Sequence, residues 1–174
     1  MIRIICAGKI KEEYLNEMIN DYLKRINKFH KLEIIEVPDS NPKEEGEKIL
    51  AKLNNKSYKV ALFIKGSMMS SPDFASFIAK NLMNYANIDF IIGGSNGLSD
   101  EVLNKMDYKL SFSNLTFPHG LFRGILLEQI YRGFKIINNE TYHKWGKYGK
   151  FNICCRNSFC KRWKTSCKYV PKKR

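Results

Sequence analysis

Two short stretches of this 174-residue chain combine side chains and glycines in patterns that are suited to ligand binding. The first, Phe112–Phe117, alternates apolar residues with Ser, Asn and Thr, and it lies directly before Pro118 and a long helical pattern. Such a loop can hold a purine between apolar side chains while main-chain groups contact its edge. Alternatively, the apolar residues fill the core and the polar ones face solvent. The composition of the loop does not choose between these interpretations.

The second stretch is Gly93–Gly97, Gly-Gly-Ser-Asn-Gly, which follows an apolar run. It lacks the Lys-Ser/Thr of a P-loop, and its glycines do not fit Gly-x-Gly-x-x-Gly. A tight turn that needs glycine for its backbone conformation is the favoured interpretation. A ligand that approaches the bare backbone is the alternative.

Ionisable side chains follow the first stretch along the chain. His119 and Arg123 are four residues apart, so they share one face at the start of the predicted last helix. Arg123, Glu128 and Arg132 lie outside the apolar stripe of that helix. Glu128 and Arg132 are four residues apart, which is the spacing of a helical ion pair. We expect the two arginines to face outward, where they could bind a base or a phosphate.

An aromatic, an imidazole and a cation stand together in Tyr142-His143-Lys144, past the last helix. Side chains of these types can stack on a base and hold its phosphate. The alternative is a disordered chain end.

The elements that must position these residues alternate between strands and helices. Apolar runs predict strands at 3–7, 32–37, 58–64, 88–92 and 108–112, and apolar residues at helical spacing predict helices at 11–30, 43–54 and 118–137. Two further helices are predicted to begin at Ser71 and at Ser99. Ser71 can cap its helix because it directly precedes Pro72, which suits the first helical position. This alternation is typical of an α/β fold with a mainly parallel sheet flanked by helices. Ligands bind at the carboxyl ends of such strands, here 62–66, 92–97 and 112–119.

Charge divides the chain into a body and a basic end. The net charge is +13, but residues 145–174 hold ten Lys/Arg, no acidic residue and four of the five cysteines. The cysteine spacing matches no zinc site, so we expect free thiols and no metal, and a zinc-dependent tail domain is the alternative. No apolar run of about 18 residues and no signal peptide are found, which predicts a cytoplasmic protein without a membrane span.

Residues 1–144 resemble the small SPOUT-class (α/β-knot) methyltransferases of large-subunit ribosomal RNA, and among them the pseudouridine N3-methyltransferases. The resemblance is carried by Phe90–Leu98, Leu110–His119, Arg123–Arg132 and Tyr142–Lys144. It implies a deep C-terminal trefoil knot, S-adenosylmethionine bound by the knotted loops, and a homodimer. The implied substrate is a pseudouridine in the 23S rRNA hairpin that bridges the two subunits of the assembled ribosome.

The resemblance also implies roles for particular residues. The implied cofactor contacts are Leu62, Gly93, Phe112, Ser113, Asn114, Leu115, Thr116 and Phe117. The implied catalytic residues remove the N3 proton, stabilise the resulting anion and stack on the base. They are His119, Arg123, Arg132, Tyr142 and His143. No metal is required by this chemistry.

The body, 1–144, is thus interpreted as the methyltransferase domain, and 145–174 as an extension that the family lacks. We interpret the extension either as disordered chain or as the product of translation past a stop codon or of a gene-model error. An RNA-binding arm is the alternative. A non-catalytic RNA- or ribosome-binding protein with the same fold is the alternative function. The loop Phe112–Phe117 argues against it, because a pure binder needs no nucleoside clamp.

Overall fold

A computed structural model describes residues 1–142 of the chain, so the predictions for His143, Lys144 and the extension 145–174 lie outside the described residues. The elements in chain order are β1 (Ile2–Ala7), α1 (Glu13–Asn27), β2 (Leu32–Val37), α2 (Pro42–Lys52), β3 (Ser57–Met68), α3 (Ser71–Asn84), β4 (Asn87–Ile92), α4 (Asp100–Asn104), β5 (Tyr108–Ser111) and α5 (His119–Ile137).

All paired strands run parallel, in the order β2-β1-β4-β3-β5. The predicted α/β class with a parallel sheet is confirmed. Side chains alternate across the sheet, so Ile4 and Phe90 lie in one apolar core and their neighbours Ile5 and Ile91 in another. The first core includes residues of α1, α3 and α5, and the second includes residues of α2 and α4. The sheet is therefore covered on both faces. The implied knot remains a prediction.

Helix α5 packs against α1 and α3 at two glycines. A Cβ atom at Gly124 would lie 2.0 Å from Met18 of α1, and one at Gly133 would lie 3.3 Å from Ile78 of α3. The missing side chains let the three helices approach closely. Among residues 1–142, no helix is both long and apolar enough to cross a membrane.

Two element ends that bear on the site differ from their predicted positions. Strand β3 continues past Ile64 to Met68, because the chain bulges and then pairs with β5 again. Helix α3 is capped by Ser70, whose hydroxyl accepts from the N–H of Asp73, and not by Ser71. The Ser71 hydroxyl instead donates to Oε1 of Gln129 at 2.8 Å. The wrong serine was assigned because either could cap a helix with proline in its first turn.

Candidate active site

The carboxyl ends of three neighbouring strands, β4, β3 and β5, meet at one edge of the sheet and line a cavity of about 590 Å³. The loops after these strands and the start of α5 complete its walls. This volume is within the range of cofactor and small-molecule sites. The three strand ends that the sequence predicted as ligand sites therefore lie together.

All but one of the predicted cofactor residues line this cavity. The exception is Asn114, which is exposed and does not line it. The others are Leu62, Gly93, Phe112, Ser113, Leu115, Thr116 and Phe117. Their contact with a cofactor remains a prediction, but the fold brings them together from separate parts of the chain.

A bulge in β3 aims two apolar residues at the cavity. Leu62 and Ser67 both pair with Leu110 of β5, so residues 63–66 form an extra segment, and Phe63 and Ile64 line the cavity. The bulge depends on Gly66, because a Cβ atom there would lie 2.6 Å from the carbonyl oxygen of Lys109. Bulges commonly redirect side chains beside functional sites.

The turn Gly93–Gly97 folds back on itself. The N–H of Gly97 donates to the carbonyl of Gly94 at 3.0 Å, and Gly97 has φ of 76°. A Cβ atom at Gly93 would lie 2.6 Å from the carbonyl carbon and oxygen of Gly97. Glycine is thus required at position 93 by the turn itself. This supports the steric interpretation of the motif, and the turn still forms one wall of the cavity.

The loop after β5 combines an anchored aromatic ring with exposed apolar side chains. Phe112 packs edge-on against Phe74 and Phe122, with ring centroids at 5.9 and 5.3 Å. Leu115 and Phe117 are 72% and 39% exposed although both line the cavity. Neighbouring exposed apolar side chains commonly mark a surface that a ligand or partner covers.

Side-chain hydrogen bonds hold the backbone of this loop. The Ser111 hydroxyl donates to the carbonyl of Ser113, and the Ser113 hydroxyl accepts from the N–H of Leu115, both at 3.0 Å. Short serine turns of this kind fix backbone groups locally. The loop therefore has both an apolar surface and an ordered main chain.

His119 is the first residue of α5 and lines the same cavity. Its Nε2 atom lies 3.9 Å from the position that a Cβ atom at Gly8 would occupy. His119 thus lies between the cavity and the end of β1, next to the predicted cofactor loop. Of the predicted catalytic residues that the structure describes, it is the one that lines this cavity.

The prediction that Arg123 faces outward is wrong. Its side chain is 1% exposed and donates to the carbonyls of Ala7 and Gly8, the latter at 2.7 Å, and to Oε1 of Glu36 at 3.0 Å. Its Nε has no hydrogen-bond partner among the described residues. Periodicity misplaced Arg123 because α5 packs against helices on two sides and its partners come from distant β1 and β2. In this structure Arg123 holds the end of β1 beside His119.

Arg132 and Tyr142 form a second group, away from the cavity. Arg132 pairs with Glu128, as predicted, and its guanidinium lies 5.0 Å from the centre of the Tyr142 ring. At 1.5 Å per residue, the 13 residues from His119 to Arg132 span about 20 Å of helix. The predicted catalytic residues of one chain therefore fall into two separate groups.

The Tyr142 phenol is suited to donate a proton in a hydrogen bond. Burial, a hydrogen bond with Tyr22 and the nearby charge of Glu128 raise the pKa of Tyr142 to about 12. The hydroxyl donates to Oε1 of Glu128 at 3.3 Å. At neutral pH the phenol therefore stays protonated and can donate its hydrogen. The Tyr131 ring packs nearly at right angles to the Tyr142 ring, with centroids 5.0 Å apart, and the stacking role of Tyr142 stays a prediction.

One residue of the site was not identified from the sequence. Glu45 in helix α2 is only 5% exposed, and its Oε1 accepts from the N–H of Gly94 at 3.0 Å. A signal was present: Gly46 follows it, and a glycine inside a helical pattern often has a packing reason. Within residues 1–142, no group of three or more His, Cys, Asp or Glu is placed to hold a metal.

Comparisons with known proteins agree on one family. A family model described as "Predicted SPOUT methyltransferase" matches residues 1–143. Two similar proteins are both named ribosomal RNA large subunit methyltransferase H. The one from Carboxydothermus hydrogenoformans is 52% identical, and the one from Clostridium kluyveri is 48% identical. Each match covers 82% of this chain and 99% of the other protein.

A solved structure of a probable methylase family protein from Haemophilus influenzae is also similar. It is 15% identical, with a TM-score of 0.48, and the match covers 82% of this chain and 70% of the other.

Proposed function

We propose, since this chain belongs to the SPOUT methyltransferase family, that it uses S-adenosylmethionine to methylate N3 of a pseudouridine in the 23S rRNA of the assembled ribosome. The chain is a methyltransferase of ribosomal RNA, as are its relatives by name. The methyl donor, the nucleoside and the position on the base are the parts that we propose. Action on ribosomes would place the protein in the cytoplasm.

The observation that carries the proposal is the cavity at the carboxyl ends of β3, β4 and β5. Its walls fit an adenosine: Leu115 and Phe117 present uncovered apolar surface, and the ordered main chain around Ser113 offers polar groups. Apolar walls with a few fixed polar groups are typical of nucleoside sites. S-adenosylmethionine, when bound, supplies a methyl group on a positively charged sulfur.

The chemistry needs a proton removed and a charge stabilised. N3 of pseudouridine lies between two carbonyl groups, so its anion is delocalised over both oxygens. His119 at the cavity is the proposed proton acceptor, and His143 is the alternative. Arg132 is the proposed partner for the developing negative charge, and Tyr142 is the proposed stacking surface. Positioning and charge stabilisation by such groups supply most of the acceleration in comparable reactions.

A homodimer would join the two groups of residues. Arg132 lies about 20 Å along α5 from His119, and the Tyr142 ring lies beside Arg132, so both are too far from His119 to act on the same base within one chain. In a dimer that places α5 of one copy beside the cavity of the other, both groups could contact one nucleotide. We therefore include a dimer in the proposal, and light scattering of the purified protein measures it.

Titration calorimetry with S-adenosylmethionine tests the cofactor assignment. We expect saturable binding in the micromolar range and comparable binding of S-adenosylhomocysteine, because both carry the adenosine that the cavity fits. Absence of binding at millimolar cofactor would contradict the proposal. It would favour instead a protein that contacts the ribosome without catalysis.

Arg132→Ala is expected to lower kcat/KM for ribosomes about 10- to 100-fold. A lost hydrogen bond to a charged group costs about 1.5–3 kcal/mol. The affinity for S-adenosylmethionine should change less than about threefold, since Arg132 lies outside the cavity lining. Methyl transfer to ribosomes and calorimetry measure the two effects.

The control for that variant is Lys105→Ala, which removes one positive charge from the far side of the sheet. Lys105 is the exposed C-cap residue of α4. Helices α4 and α5 contribute to the cores on opposite faces of the sheet. It should have a small effect on both measurements. Equal losses of methyl transfer and cofactor affinity in Arg132→Ala would show that Arg132 has been given the wrong role.

A further inference from the structure

The turn Gly93–Gly97 is held by a carboxyl group from a distant part of the chain. Glu45 lies in α2, 49 residues before Gly94, and its Oε1 accepts the Gly94 N–H at 3.0 Å. Its Oε2 would lie 2.8 Å from a Cβ atom at Gly94. The carboxyl group therefore fits against the bare backbone of the turn, and glycine at position 94 makes room for it.

Helix α2 is fixed so that Glu45 points at the turn. Asn41 caps the helix by accepting the N–H of Glu44 at 3.0 Å, and Ile49 is buried in the core beneath α2 and α4. Gly46 allows a close approach to α4, since a Cβ atom there would lie 2.8 Å from Oγ of Ser99. Ser99 caps α4 just after the turn. One helix thus contacts both the turn and the element that follows it.

Burial of this carboxyl group is costly unless it is compensated. Glu45 is 5% exposed, and no ion pair joins it to a Lys, Arg or His within residues 1–142. Removing a carboxyl group from solvent costs free energy even when one of its oxygens accepts a hydrogen bond, and such costs are commonly tolerated at functional sites. For core packing alone, a leucine or methionine at position 45 would fill the space without this cost.

We propose that Glu45 is a positioning residue of the methyltransferase site, which holds the turn Gly93–Gly97 in the conformation that binds the cofactor. The proposal rests on the proposed function, because it assumes that the turn contacts S-adenosylmethionine. Glu45 acts through the backbone of Gly94 and does not itself line the cavity. Without this hydrogen bond the turn adopts other conformations in the free protein. Cofactor binding must then order the turn, and the free energy of that ordering lowers the affinity for the cofactor.

The test compares Glu45→Ala with Glu45→Gln. The glutamine keeps a carbonyl oxygen that can accept the Gly94 N–H, whereas the alanine removes the acceptor. We expect Glu45→Ala to weaken cofactor binding about tenfold or more, in KM and in calorimetric Kd, while kcat at saturating cofactor falls less than threefold. Glu45→Gln should restore affinity to within about threefold of the unmodified protein. Glu47→Ala, an exposed carboxylate of the same helix, is the matched control.

A second measurement does not depend on the cofactor. Amide hydrogen exchange of Gly94 to Leu98 in the free protein should accelerate about tenfold or more in Glu45→Ala and remain near normal in Glu45→Gln. Exchange in β1 should change little, which separates a local release of the turn from general destabilisation.

The outcomes distinguish this inference from the proposed function. Unchanged exchange of the turn in Glu45→Ala, or equal losses of cofactor affinity in Glu45→Ala and Glu45→Gln, would overturn the role of Glu45. If the unmodified protein fails to bind S-adenosylmethionine, the proposed function fails and with it the claim about the cofactor.

Discussion

Gly93→Ala is expected to lower the affinity for S-adenosylmethionine about a hundredfold, equivalent to about 3 kcal/mol. The added Cβ atom would lie 2.6 Å from the carbonyl carbon and oxygen of Gly97 and 2.9 Å from the nitrogen of Leu98. These are backbone atoms of the same turn, so the turn has to open. Residues 94–98 then leave the wall of the cavity. Calorimetry with the cofactor measures the loss.

Gly97→Ala is the matched control for that variant. A Cβ atom at Gly97 would meet no described atom within 4 Å, but the residue has φ of 76°. The cost is the strain of a left-handed backbone, about 1–2 kcal/mol, without a collision. We expect a smaller loss of affinity than for Gly93→Ala. A Gly93→Ala protein that binds the cofactor as well as the unmodified one would refute the site as described.

The second large effect is on stability. Arg123→Met should lower the free energy of unfolding by about 3 kcal/mol, because it leaves the carbonyls of Ala7 and Gly8 without this donor and Glu36 without its ion pair. The expected loss of stability is at the low end for a broken buried ion pair, because the Glu36 side chain is 36% exposed and water can reach it. Urea unfolding at 25 °C measures the change.

Arg25→Met provides the comparison for Arg123→Met. Arg25 pairs with Asp21 across one helical turn, and the two side chains are 46% and 53% exposed. Solvent screens such an exposed pair, so its loss should change the free energy of unfolding far less than the loss of the buried Arg123 contacts. Equal stability of the two variants would show that Arg123 does not hold β1 as the structure indicates.

The strands and helices were predictable because their signals are local. The bounds of β2 were predicted to the residue, and those of β1, β4 and β5 to within one residue, from apolar runs closed by turn residues. The position of a ligand site at three strand ends followed from a general property of parallel sheets. That β3 lies between β4 and β5 could not be predicted, since strand order depends on packing between distant parts of the chain.

The buried ionisable residues were not predictable for a related reason. Arg123 and Glu45 both look like surface residues in their own helices, and each is buried because its partners come from elsewhere. Arg123 contacts residues 115 or more positions away at the end of β1, and Glu45 contacts the turn after β4. Helical periodicity describes one element at a time, so it cannot show a partner supplied by another element.

The proposed methylation of pseudouridine is tested by methyl transfer to purified ribosomes that lack the modification. The protein is incubated with labelled S-adenosylmethionine and the ribosomes, and the modified nucleoside is identified by mass spectrometry. We expect about one methyl group per large subunit, recovered as N3-methylpseudouridine from 23S rRNA. No transfer to these ribosomes, or a methyl group on a different nucleoside, would contradict it.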